Sequence, residues 1–347
     1  MEGNLNMKKI LFPYSFSVFG DLNFINCFSS YYLYINKLND TSNSDCSFTT
    51  VGKCDGCGHC NDNNLISGMQ WFFETIVGNT STRGCLNEEF RQTHHRNNFE
   101  TVDFLLQFAG LEYAIHKNDM IVKTAISIEN GYPVFARMKN ADNNEFRLII
   151  GCDENTGEIV NAGTDGENGR PKGSPLWEEI EEIIVITKKS EPTKNLIDAF
   201  QRIINVLENN VKQGGLWDDC IQGFTFKGGV KIDMEELERR FKAMREAAFH
   251  NFNSHFFAEQ FRKPVYEPLK DNRLDDVRRK IDKTCDTAHL RNWQMVSLYE
   301  FRGDWSKKRD NVKEWGYATS MLDCIKALKQ CDKEILLALI EAAKILK

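Results

Sequence analysis

The sequence predicts an α+β domain followed by an all-α helical domain, and three observations predict it. Up to about residue 190, short apolar runs of both strand and helix character are broken by Gly, Asn and Asp. Beyond Pro192 the apolar spacing turns helical almost throughout. The chain has 347 residues, 41% of them apolar and 27% charged, enough for two ordinary cores.

In the first part, Phe99–Phe108 reads as a helix, with Val102, Leu105, Leu106 and Ala109 at helical spacing and Gly110 as its stop. Ile121–Glu129 reads as a second helix, ended by Asn130-Gly131. Strands are expected at Pro133–Met138, Phe146–Ile150, Glu158–Asn161 and Ile183–Thr187. Asp153-Glu154-Asn155-Thr156-Gly157 joins the second and third of these in a hairpin. The polar stretch Lys188–Lys194, with Pro192, serves as the linker, dividing residues 1–190 from residues 191–347.

The second part is expected to be a helical bundle. Leu196–Val211 carries Leu196, Ala199, Ile203, Val206 and Leu207 on one face and stops at Gly214-Gly215. Met234–Phe252, Leu274–His289, Trp293–Phe301 and Cys324–Leu346 continue the pattern, with turn-rich interruptions at Gly223–Gly229 and Pro264–Pro268.

Charge and cysteine usage exclude several classes. A net charge of −6 argues against a general nucleic-acid or anionic-membrane surface. No apolar run approaches the length of a membrane span, and Pro13, Tyr14 and Ser15 cut short the apolar start. The odd count of 11 cysteines suits a reducing compartment, so the cytoplasm is expected. The glycine-containing turns at Gly163–Gly169, Lys172-Gly173 and Gly228-Gly229 do not form a phosphate-binding loop. The Arg239–Lys263 stretch interleaves basic and acidic residues, as a solvated helix face does.

Two cysteine features carry chemistry. Cys27 lies in Asn26-Cys27-Phe28-Ser29-Ser30-Tyr31, near the start of a predicted helix. Helix-head amides and the macrodipole stabilise a thiolate there and offer an oxyanion site. Buried packing is the other reading of such a cysteine. The second feature is Cys54-Asp55-Gly56-Cys57-Gly58-His59-Cys60, with Cys46 before it and Cys85 after it. Cys54, Cys57 and Cys60 suit zinc with Cys46, His59 or Cys85 as the fourth ligand, and iron–sulfur ligation is the alternative soft-metal reading. A polar loop of reduced thiols needs no metal at all, and a second Cys-x-x-Cys pair is missing.

The order of elements resembles a known family. Cys27 heads an early helix, and Ser67-Gly68-Met69-Gln70-Trp71-Phe72 follows as an amphipathic segment. Then come Gly131-Tyr132-Pro133-Val134 and Ile149-Ile150-Gly151-Cys152-Asp153-Glu154. Over roughly residues 16–186 this is similar to the papain-like domains of bacteriocin-processing cysteine peptidases, and in particular to butirosin biosynthesis protein H-like N-terminal domains. Relatives of that type also carry a helical C-terminal domain. The resemblance implies acyl or peptidyl transfer, or hydrolysis, with Cys27 as nucleophile and Asn26 and neighbouring amides at the oxyanion. It further implies a small molecule, peptide or acyl-carrier-linked group held between the two domains.

The resemblance also exposes a departure. The family's histidine base falls at Glu145, and its orienting Asn or Asp falls near Asn161. With a reference pKa of about 4.3, a carboxylate is a poor base toward a thiol near 8.5. No histidine lies between His116 and His250, so a base would have to come from His94, His95 or His116. The expectation is a papain-like scaffold with altered or lost thiol chemistry; the alternative is a non-enzymatic protein that binds peptide or acyl groups on the same scaffold.

Overall fold

The computed structural model describes residues 8–12, 23–36, 64–78, 98–139, 145–162, 177–212, 218, 271–300 and 315–347. It divides into two units: residues 1–74 with 95–195, and residues 75–94 with 196–347. The second unit's main segment therefore begins a few residues past the linker boundary read from sequence, and a short earlier segment joins it.

The first unit is an antiparallel sheet with helices, an α+β arrangement. Its strands are β1 (Lys8–Lys9), β2 (Leu111–His116), β3 (Val134–Met138), β4 (Phe146–Cys152), β5 (Ile159–Ala162) and β6 (Ile180–Lys189). The order across the sheet is β1-β4-β3-β6-β2, with β5 also paired to β4. All pairings are antiparallel. The helices are α1 (Phe24–Ile35), α2 (Asn64–Ile76), α3 (Phe99–Phe108) and α4 (Met120–Glu129).

Helix α1 is buried on nearly every side, from Phe24 through Tyr31 and again at Leu33, as a helix central to a core must be. Asn23 caps it, its side chain accepting the Asn26 amide at 3.0 Å. On one side Phe24 meets Phe135 and Phe146 of the sheet, at 5.1 and 5.3 Å between ring centroids, and Tyr31 meets Phe135 at 4.9 Å. On the other side Phe28 meets Phe73 of α2 edge-on at 4.8 Å. Strand alternation sends Val134, Ala136, Ile149, Ile159 and Ile183 into a second cluster, to which Met120 of α4 adds.

The α3–β2 turn depends on Gly110, whose φ of +68° a side chain rarely adopts. A Cβ there would stand 2.2 Å from the Ser190 carbonyl oxygen. The close approach has a use, since the Ser190 amide donates to the Gly110 carbonyl at 2.7 Å and fixes the chain as it leaves β6.

The second unit contains α5 (Leu196–Lys212), α6 (Asp275–Glu300) and α7 (Trp315–Leu346). Ile203, Ile204 and Leu207 of α5 pack with Leu336, Leu339 and Ala343 of α7. Leu274, just before α6, and Val277 in its first turn pack with Ala338 and Ala342. Two helices expected from sequence, Leu274–His289 and Trp293–Phe301, are a single helix, because Leu290-Arg291-Asn292 contains nothing that breaks one. No helix among the described residues is long and apolar enough to cross a membrane. The expected helix Met234–Phe252 and the turns at Gly223–Gly229 and Pro264–Pro268 lie outside the described residues.

Candidate functional site

The site begins with the fourth residue of α1. Cys27 follows the Asn23 cap and three helical residues, so its amide already belongs to the helix ladder and donates to the Asn23 carbonyl at 3.2 Å. The Asn26 amide is held by the Asn23 side chain. Both helix-head amides are thus bonded within the chain, and Asn26 is completely buried. The Cys27 thiol donates to the Phe146 carbonyl oxygen at 3.6 Å, across the junction between α1 and the start of β4.

That contact places the thiol beside Glu145 and Arg147, the two residues flanking Phe146. Strand alternation puts these two side chains on one face, where their carboxylate and guanidinium form an ion pair. Arg147 is nearly enclosed, and Glu145 is about one-third exposed. Burial pushes the Cys27 thiol up to about 12; the Arg147 charge acts against that shift, and the Glu145 charge adds to it. Cys27 itself is 0% exposed. Its thiol is protonated at neutral pH, whereas a nucleophilic cysteine needs a shift in the other direction.

Asn161 stands opposite Ile149 in the β4–β5 ladder. Residues paired across an antiparallel ladder share a face, so Asn161 lies on the Ile149 face, which alternation along β4 makes the face of Glu145 and Arg147 as well, opposite to that of the Phe146 ring that meets α1. Its Oδ1 is enclosed without a hydrogen-bond partner among the described residues. The Cys27 thiol therefore meets the chain between Glu145 and the unforeseen Arg147, and Asn161 stands opposite a position two residues further along β4. His116 ends β2, separated from β4 by β3 and β6. Three strand spacings amount to about 14 Å, which keeps its imidazole out of reach of Cys27. His94, His95 and the cluster Cys46, Cys54, Cys57 and Cys60 lie outside the described residues. Among the described residues no group of three or more His, Cys, Asp or Glu side chains is placed to hold a metal.

A second charged pair lies on the α1 face of the sheet. Arg137 of β3 reaches Glu182 of β6 at 3.1 Å and stacks over Phe146, 5.3 Å from its ring centroid. Lys117 approaches Glu182 at 3.5 Å. Arg137 and Arg147 were both legible as charges inside otherwise apolar strands, Val134–Met138 and Phe146–Cys152, which is the signal that identifies paired charges in a core.

No protein-family model, no curated protein and no solved structure matches this chain.

Proposed function

We propose that the first unit is a papain-like scaffold of the butirosin biosynthesis protein H type whose thiol site no longer performs nucleophilic chemistry, and which serves to bind a peptide or an acyl group. The observation that carries this reading is the state of Cys27: wholly buried, bonded through its thiol to the Phe146 carbonyl, and flanked by a carboxylate already paired with Arg147. A papain-type reaction needs a thiolate, a base to form it and a free donor for the oxyanion. Glu145 occupies the place the family gives to histidine, the thiol is held as a proton donor, and the amides of Asn26 and Cys27 are engaged. A carboxylate is by its ordinary acidity a poor base toward a thiol.

The test is alkylation of the native protein at neutral pH, read by peptide mass spectrometry at Cys27 against the other cysteines. Cys27 is expected to remain unlabelled until the chain is unfolded. Two variants connect the measurement to the scaffold. Glu145→His, which restores the family residue, is expected to label faster than Glu145→Gln, since only the first supplies a base. Equal rates would remove the family resemblance as an account of position 145. An acyl-pantetheine probe is expected to bind without losing its acyl group. Release or transfer of that group, abolished by Cys27→Ala, would instead establish an acyltransferase.

A further inference from the structure

Helix α4 is followed by Asn130-Gly131, which is both its stop and a pair prone to attack on itself. Glycine has no Cβ to hinder its amide nitrogen when that nitrogen attacks the preceding asparagine side chain. The reaction needs only water. The Gly131 nitrogen loses its proton and bonds to Asn130 Cγ, while the Cγ–Nδ2 bond breaks and ammonia carries the proton away. Water then opens the cyclic imide at either carbonyl, leaving aspartate or isoaspartate at position 130. Asn130 is exposed and Gly131 is half-buried, so water and hydroxide reach the pair.

The cap of α4 holds the reacting atoms apart. Asn130 has φ −80° and ψ 1°. Ring closure needs the Gly131 nitrogen to swing level with Cβ about the Cα–C bond, roughly a third of a turn from this position. Hydrogen bonds on both sides of the pair oppose that rotation. The Gly131 amide donates to the Ile128 carbonyl at 3.0 Å, and the Tyr132 amide donates to the Ser127 carbonyl at 2.9 Å. With Gly131 at φ +83°, these are the two bonds of a glycine-terminated helix end. The first of them also engages the proton that the reaction must remove. The Ser127 hydroxyl donates to the Tyr132 carbonyl at 2.9 Å, and the Tyr34 hydroxyl of α1 donates to the Gly131 carbonyl at 3.1 Å. We infer that Asn130 is a deamidation site gated by this cap, silent while the helix end is closed and reactive in the fraction of time it is open. The product opposes reclosing. Isoaspartate routes the main chain through Cβ and lengthens it, and either product adds a negative charge at the helix C-terminus, where the macrodipole disfavours anions. The added charge also falls next to Glu129, whose ion pair with Lys8 at 3.0 Å ties β1 to the helix.

The test ages the full chain at mildly alkaline pH, native and in guanidinium chloride, and follows the acid products at Asn130 by peptide mass spectrometry. In denaturant the pair is expected to convert as fast as a free peptide of the same sequence, and in the native chain at least about tenfold more slowly. Hydrogen exchange of the same segment supplies a check that needs no variant. The retardation of deamidation is expected to be no smaller than the protection of the Gly131 amide, since both reactions must break its bond to Ile128. Tyr34→Phe with Ser127→Ala removes the two side-chain ties and is expected to raise the native rate severalfold, with the rate in denaturant unchanged. Native conversion as fast as in denaturant, a retardation smaller than the protection, or a double variant no faster than the wild type would each overturn the gate. An Asn130 that stays intact in denaturant would overturn the site itself.

Discussion

The alkaline limb of stability tests the state of Cys27 directly. Its thiol titrates at about 12 in the folded chain against an ordinary value of 9.0, because burial disfavours the thiolate. A raised folded value means that the folded chain holds the proton more tightly than the unfolded chain does. The stability this contributes is complete below the unfolded value and is lost as pH rises from about 9 toward about 12. Between pH 7 and pH 10 the loss from this one group comes to about 1.4 kcal/mol, and by pH 11 to about 2.7 kcal/mol. The perturbation is Cys27→Ala, and the assay is urea unfolding of variant and wild type at each pH, followed by circular dichroism. The cavity left by alanine costs the same at every pH, so it cancels when the two pH dependences are subtracted. Cys152 and Cys331, whose thiols burial also raises to about 11, cancel likewise because both proteins keep them. The wild type is expected to lose about 1.4 kcal/mol more than the variant between pH 7 and pH 10. Parallel curves would show that the folded thiol titrates near its ordinary value, which would refute the buried-donor account and return Cys27 to candidacy as a nucleophile.

Two further predictions concern the frame that holds the site. Gly110→Ala is expected to cost at least about 2 kcal/mol, since it combines an unfavourable φ with a collision at the Ser190 carbonyl; a loss of only a few tenths in chemical denaturation would show that the turn relaxes. Arg137→Met is expected to cost about 2 to 3 kcal/mol by leaving Glu182 buried, with Lys117 as its remaining ion-pair partner among the described residues. Adding Glu182→Leu is expected to recover most of that loss, and strictly additive losses in the double variant would argue against coupling of the pair.

What was legible in the sequence follows from where the signal is local. Helices α3 and α4 declare themselves because apolar spacing and a terminal glycine agree within one short window, with a capping Asn98 at the head of α3 besides. The β4–β5 turn does so because Gly157 supplies the positive φ that the turn requires. Strand β2 is not among the strands expected from the sequence. Its Leu-Glu-Tyr-Ala-Ile-His run is short and only half buried, and it is held as a strand by pairing with β6, distant in sequence. Strand β1 has two residues and exists only through Gly151 and Cys152 of β4. In the site, Cys27 and Glu145 could be named one by one, but their adjacency was implied by the family resemblance and not by any spacing. It arises from packing α1 onto β4, and Arg147 becomes a neighbour of Cys27 only through that packing.

The same packing explains why a cysteine at this position need not be reactive. A thiol near a helix head gains reactivity only if the first-turn amides and the sulfur face solvent or substrate. Here the rings of Phe24, Phe28 and Tyr31 turn α1 into the shared core of the sheet and α2, and position 27 lies inside that core. Exposing the sulfur would require separating Phe24 from Phe146 and breaking the bond to the Phe146 carbonyl, and so giving up contacts that anchor the helix. Placing a histidine at position 145 supplies a base but does not open that junction. Glu145→His should therefore label faster than Glu145→Gln, yet both should stay well below the rate of an unfolded thiol. A Glu145→His variant that reaches the unfolded rate would mean that the junction opens readily, and that burial had been a weaker barrier than the lack of a base.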